Sequence, residues 1–322
     1  MLKNHLVQSV KSDLSLVSES RFSVGIDVGG TKIAGLLLDG NNQIVTRATL
    51  PVPKSSTESL LDWLARVALE LIDAAPSEHR ERCSVGFAIA GWLNATSDFV
   101  RFSPHLPLTG VFVKHELEYR VGRPVVIAND ADAAGWAEFR LGAALDYDDA
   151  VCLTLGTGLG SAVIANGTLI RGAIGMAGEL GHVCIDPTGP ECACGGIGCL
   201  EIFASGTGAE RAAWKAGLMM TGRELVAAAE LGDRDACAVL DDVARPLAQA
   251  LTMVVGTLDP GVVVIGGGFG TASPYFLDSL RRQYAALASR PESRPLVPVE
   301  VATWGPEAGA VGAALLAAHH KS

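Results

Sequence analysis

Residues 22–38 read FSVGIDVGGTKIAGLLL. Two apolar runs, Phe22–Ile26 and Ile33–Leu38, flank Asp27-Val28-Gly29-Gly30-Thr31-Lys32. Short apolar runs bounded by glycine predict two strands joined by a tight turn. Bare backbone N–H groups in such a turn make a concavity that can hold phosphate oxygens. A plain hairpin turn is the alternative. The stretch is not a P-loop: Gly25-x4-Gly30 nearly matches, but Thr31 precedes Lys32 and an apolar strand follows where the motif wants a helix. The dinucleotide-binding fingerprint fails for the same reason, since it needs strand-turn-helix.

The pattern returns at 151–165, VCLTLGTGLGSAVIA, around Gly156-Thr157-Gly158-Leu159-Gly160. Asn166-Gly167 signals a hairpin, and Thr168–Arg171 continues the meander. A device that occurs twice argues against an idle turn. Two phosphate cradles facing each other across a cleft are what a nucleotide clamp needs. Outward from these turns, strands are expected at 43–50, 83–90 (running into Gly91), 125–128 and 262–265. Helices are expected at 57–74, 111–121, 131–141, 207–219, 222–231, 235–257 and 307–318. Gly266-Gly267-Gly268 follows the last strand. Backbone without side chains there would admit a flat ring such as adenine; a tight strand-to-helix turn is the bland alternative.

A second cluster lies at 178–201, GELGHVCIDPTGPECACGGIGCLE. His182, Cys192, Cys194 and Cys199 have the ligand chemistry of a closed tetrahedral zinc site. Reduced core thiols, or a disulfide plus one, would predict apolar neighbours, and the neighbours are glycines. Cys184 competes with His182 as fourth ligand, because the two share a face in an extended strand. Glu179 and Glu201 flank the ligands without being needed as ligands, which casts zinc as scaffold and the carboxylates as function. Asn129-Asp130 ends a buried strand, where open α/β sheets place ligands. Asp130 there could take a proton from a bound hydroxyl, or merely cap the following helix.

The chain has 322 residues, 49% hydrophobic and 19% charged, with a net charge of −10. That size suits two domains with a sizeable core. The acidic balance argues against nucleic acid. Seven cysteines, three of them beside a histidine, point to metal in a reducing, cytoplasmic compartment rather than to disulfides. No secretion signal is read in residues 1–20, and the uncharged run 260–277 is too broken by proline and glycine to span a membrane.

The strand and helix order resembles half of an actin-like ATPase. The motifs resemble the ROK family of sugar kinases, repressors and open reading frames, across nearly the whole chain from residue 22. The carriers are Asp27–Lys32, Asn129–Ala134, Leu155–Gly160, Ala177–His182 and Cys192–Glu201. The zinc loop is similar to that of the glucokinase-type and N-acetylmannosamine-kinase-type branches. Pro104-His105-Leu106-Pro107 and the segment 150–182 look most like the actinobacterial glucokinase type. The resemblance implies a ribonuclease H-like fold of two duplicated α/β domains around a central cleft. The expected division is an extension (1–21), a small domain (22–136) carrying the final helix (307–322), and a large domain with the zinc loop (137–306). It implies ATP, Mg²⁺ and structural Zn²⁺, a homodimer or higher homo-oligomer, and phosphorylation of a hexose 6-hydroxyl, glucose first and N-acetylmannosamine second. Asp130 would be the base. Gly91, Asn129, Glu179, His182 and Glu201 would meet the sugar. Asp27 (placing magnesium), Gly29, Gly30, Thr31, Lys32, Gly156, Thr157 and Gly158 would serve the phosphates, with Gly267 and Gly268 beside the adenine. A repressor of the family would carry a helix-turn-helix before the first strand, and 21 residues are too few for one. A catalytically silent sugar-binding protein is the third reading. The chain departs from the family at Ala90, at His105 (asparagine in many relatives), at Leu108 (often tryptophan) and at Asp132 (usually asparagine). His105 and Leu108 are expected in the sugar-selecting region, and Asp132 would raise the pKa of Asp130 if the two face each other.

Overall fold

The computed structural model describes residues 21–53, 56–288 and 295–319. The expected N-terminal extension lies outside them, except for Arg21, as do residues 320–322 of the final helix. The first half runs β1 (Ser23–Val28), β2 (Lys32–Leu38), β3 (Ile44–Pro51), α1 (Thr57–Asp73), β4 (Ser84–Ile89), β5 (Trp92–Leu93), β6 (Val100–Phe102), α2 (Val113–Val121), β7 (Val126–Asn129) and α3 (Asp130–Leu141). The second runs β8 (Ala150–Leu155), β9 (Leu159–Ala165), β10 (Thr168–Leu169), α4 (Leu200–Phe203), α5 (Gly206–Lys215), α6 (Gly222–Glu230), α7 (Arg234–Leu258), β11 (Val262–Gly266), α8 (Pro274–Leu287), β12 (Val299–Val301) and α9 (Ala308–His319).

Two five-stranded sheets result, ordered β3-β2-β1-β4-β7 and β10-β9-β8-β11-β12. In each, the first strand pairs antiparallel with the second and parallel with the fourth in line. The two halves therefore repeat one topology, and each glycine turn joins the first two strands of its sheet. This is the duplicated actin-like ATPase fold. Buried β1, β4, β8 and β11 are nearly continuous apolar runs, as expected of parallel strands covered on both faces.

Three layers of core hold the sheets. Helices α1 and α2 cover one face of the first sheet through Leu60, Leu64, Leu71 and Leu117. Helices α5 to α8 pack on the second through Ala209, Leu225, Leu247 and Phe276. Between the sheets lie α3 and α9, with Trp136, Val311 and Leu315 against Cys152, Ile164 and Val264. Small residues let α9 sit flush on its neighbours. A Cβ on Gly25 of β1 would lie 1.9 Å from the Ala310 carbonyl oxygen, and one on Gly312 of α9 would lie 1.7 Å from that of Ala133. The obstructing atoms are backbone, so neither clash relaxes by a rotamer change. Gly25→Ala is expected to destabilise by about 3 kcal/mol, the upper end of overpacking costs; a thermal melt within a degree of the parent would contradict this packing.

The hairpin β5–β6, helix α8 and strand β12 were not foreseen. Strands of two or three residues fall below any period a sequence displays. Helix α8 begins at Pro274, within the uncharged run, and Ser273 caps it by accepting from the Phe276 N–H. No helix among the described residues is long and apolar enough to cross a membrane.

Candidate active site

Strand β7 delivers Asn129 and Asp130 to the start of α3. Asn129, not Asp130, is the cap: its Oδ1 accepts from the N–H groups of Ala131 (2.8 Å) and Asp132 (3.1 Å). Its Nδ2 donates to the Gly91 carbonyl at 3.0 Å, which ties β7 to the bend after β4. The asparagine thus holds two backbone segments in place. Gly91 itself has φ +156, and a Cβ there would lie 2.6 Å from the Phe102 carbonyl oxygen, so the chain crosses close above the site.

Around Asp130 gather further carboxylates. Burial pushes Asp130 up to about 6, opposed by N–H groups of its own helix start and by His105. Burial and then the Asp130 charge push Asp27 up to about 7, with Lys32 opposing. Glu179 also rises to about 7, through burial, Asp130 and Glu201, against a hydrogen bond from Trp92. Asp130 therefore shares its surroundings with Glu179, and Glu179 with Glu201. Asp132 rises to about 7 mainly by burial, with Arg171 opposing and Glu179 and Asp130 adding. Asp132 and Asp130 repel each other, as expected of two carboxylates this close, but burial is the first cause of the rise at each.

The two glycine turns frame this group. In the first, the Gly29 N–H donates to the Lys32 carbonyl at 3.0 Å, with Thr31 and Lys32 exposed. In the second, the Gly156 N–H donates to the Gly158 carbonyl at 2.9 Å, and Thr157 is exposed. Glu201 braces that turn, its Oε2 accepting from the Leu159 N–H at 2.8 Å. A Cβ on Gly158 would lie 2.2 Å from the same oxygen, so a side chain there would push the Glu201 carboxylate out of this position. Gly266 ends β11, and Gly267-Gly268 follow it. Gly267 has φ +80, and its missing Cβ would lie 2.5 Å from the Leu155 carbonyl oxygen, so its own turn demands it. Gly268 faces open space.

The ligating atoms of His182, Cys192, Cys194 and Cys199 all lie within 4.8 Å of one another. Cys194 Sγ and Cys199 Sγ are 3.7 Å apart, as are Cys192 Sγ and His182 Nδ1. Ligands about 2.3 Å from a tetrahedral zinc stand about 3.8 Å apart, so the four residues fit the metal. Gly195 and Gly198, at φ +89 and +61, bend the loop around this point. Cys184 is exposed and outside the group; its backbone pairs with that of Cys199. His182 turns Nδ1 to the sulfurs, and its Nε2 stands 4.0 Å from Glu179 Oε2. Trp92 packs edge-on to the same ring at 5.6 Å.

Sequence reasoning missed Trp92, Arg171 and the start of α9. At Gly309 a Cβ would lie 2.7 Å from the Asp27 Cγ, so the helix begins directly on that carboxylate. An aromatic after Gly91 was the available signal for Trp92. Leu108 is corrected: it is buried in the first core beside Leu106 and Val113, not in the cleft.

Two curated relatives match nearly end to end. The glucokinase of Streptomyces coelicolor is 34% identical over 314 residues, covering 92% of this chain and 97% of that protein. The N-acetylmannosamine kinase of Escherichia coli is 36% identical over 304 residues, covering 93% and 99%. Among solved structures, a ROK family glucokinase from Streptomyces griseus in complex with glucose and AMPPNP superposes with a TM-score of 0.82 at 33% identity, covering 93% of this chain and 100% of that one. The ROK family model matches residues 23–320. On these matches the chain belongs to the ROK family.

Proposed function

We propose that the chain is a sugar kinase that transfers the γ-phosphoryl group of ATP to the 6-hydroxyl of a hexose, with glucose the preferred acceptor. The observation that carries the reading is a buried, raised-pKa carboxyl, Asp130, sharing one group of side chains with Glu179 and Glu201. The glucokinase and N-acetylmannosamine kinase relatives stand at similar identity, so the second sugar is the alternative acceptor.

In this reading Asp130 accepts the hydroxyl proton as the sugar oxygen bonds to the γ-phosphorus. The bond from that phosphorus to the β,γ-bridging oxygen breaks, leaving ADP and a sugar phosphate. Glu179, Glu201, Asn129, the Nε2 side of His182 and the Gly91 backbone hold the sugar hydroxyls. Gly29, Gly30, Thr31 and Lys32 on one side, and Gly156, Thr157 and Gly158 on the other, hold the phosphates. Gly267 and Gly268 border the adenine. Asp27 is placed to hold Mg²⁺, which would neutralise phosphate charge. Zinc on His182, Cys192, Cys194 and Cys199 would fix the loop that carries Glu179 and Glu201. The small domain (22–136 with α9) and the large one (137–306) would close on the pair of substrates.

A coupled assay with Mg-ATP over glucose, mannose, N-acetylmannosamine and fructose is expected to give the highest kcat/KM with glucose. Turnover led by N-acetylmannosamine moves the assignment to the second sugar, and no turnover on any of the four rejects the kinase reading.

A further inference from the structure

One side chain beside the base has no role in the mechanism above. His105 is exposed on the loop after β6, between buried Leu106 and buried Ser103. That loop is held at both ends. Ser103 Oγ donates to the Ala90 carbonyl at 2.6 Å, and the Ser103 N–H donates to Thr109 Oγ1 at 3.0 Å. The loop therefore presents His105 in a fixed place. A Cβ on Gly30 would lie 2.8 Å from His105 Cβ and 3.3 Å from its Cγ, so the histidine rests directly on the first glycine turn. Only a glycine at 30 leaves room for it.

The same side chain is close enough for its positive form to be felt by Asp130. His105 thus touches the turn read as a phosphate cradle and lies within electrostatic reach of the carboxyl read as the base. In a phosphoryl transfer, the group in flight passes between that cradle and that base.

We propose that His105 is a further catalytic residue, donating an imidazole N–H to the phosphoryl oxygens during transfer. The inference rests on the kinase reading. It adds no bond to the step: the sugar oxygen still attacks, Asp130 still takes the proton, and His105 only donates a hydrogen bond where negative charge spreads. Donors aimed at developing charge act mainly on kcat.

His105→Asn, His105→Gln and His105→Ala test this, because an exposed position tolerates all three. With Mg-ATP and the best sugar of the panel, His105→Ala is expected to lower kcat about 30-fold, with both KM values within about threefold. His105→Gln, which keeps an N–H donor, should recover part of the loss. Two results overturn the inference while leaving the kinase reading intact: kcat within twofold of the parent in all three variants, or a loss confined to the sugar KM, which would make His105 a sugar contact. A parent protein that turns over no sugar removes the kinase reading, and the inference with it.

Discussion

Asp130→Asn is expected to lower kcat by about 10³-fold, within the range that general bases contribute, while the sugar KM moves by less than about threefold. The amide keeps the shape of the side chain but cannot accept the proton. Asn129 does the capping, so the start of α3 should survive the change. In the parent, kcat/KM should fall tenfold per pH unit below about 6, where Asp130 of the free enzyme becomes protonated. The stability effect has the opposite sign. The folded pKa of Asp130 lies above the ordinary aspartate value of 3.8, so folding favours its protonated form. That contribution is fully present below the unfolded value and is lost as pH rises through about 6. At pH 8 the buried charge is a cost, and asparagine removes it. The inactive variant should therefore melt a few degrees above the parent at pH 8, and the gap should close towards pH 4. Full activity in Asp130→Asn would reject the base. Lower stability at pH 8 would reject the burial argument.

This coupling of lost activity to gained stability is expected where carboxylates are gathered for chemistry. Asp27, Asp130, Asp132 and Glu179 are all raised, and burial is the first cause for each. A fold selected for stability alone would not keep four such groups together. The sequence announced them unequally. Asp27 and Asp130 stand at the ends of apolar strands, so position alone marks them. Glu179 and Glu201 were legible because they border a cysteine cluster. Asp132 was legible only as a departure from relatives, and its orientation could not be read, since one residue along a helix turns a side chain by a third of a revolution. Trp92 and His105 lie on a two-residue strand and on a loop held by Ser103 and Thr109. No hydrophobic period marks such segments, so tertiary contacts alone place them. Gly267 was the reverse case: visible as a glycine, while its need for one, the Leu155 carbonyl, was not.

Removing the metal should cost the sugar site more than the nucleotide site. The purified protein is expected to carry about one zinc per chain, lost in Cys199→Ala and in His182→Ala. Burial first, and then Cys194 and Cys192, push the Cys199 thiol up to about 12, so three thiols packed this closely are reconciled by a cation. Without it the loop loses its centre, and both of its exits matter. One end carries His182 and Glu179, the other Cys199 and Glu201. Glu201 also holds the Leu159 N–H, so slackening reaches the second glycine turn through that hydrogen bond, while the Gly206 N–H still holds the Gly156 carbonyl from the start of α5. The first turn is built on β1 and β2. Either variant should therefore lower kcat/KM for glucose by 10²-fold or more, the upper range for lost outer-shell support of a site. ATP affinity, measured by calorimetry, should change by less than about fivefold. Thiol titration should show three newly reactive cysteines in His182→Ala and two in Cys199→Ala. A parent protein free of zinc with full activity would overturn the scaffold role. So would a His182→Ala variant that keeps its zinc and its sugar KM, because the ring could then be neither ligand nor brace for Glu179.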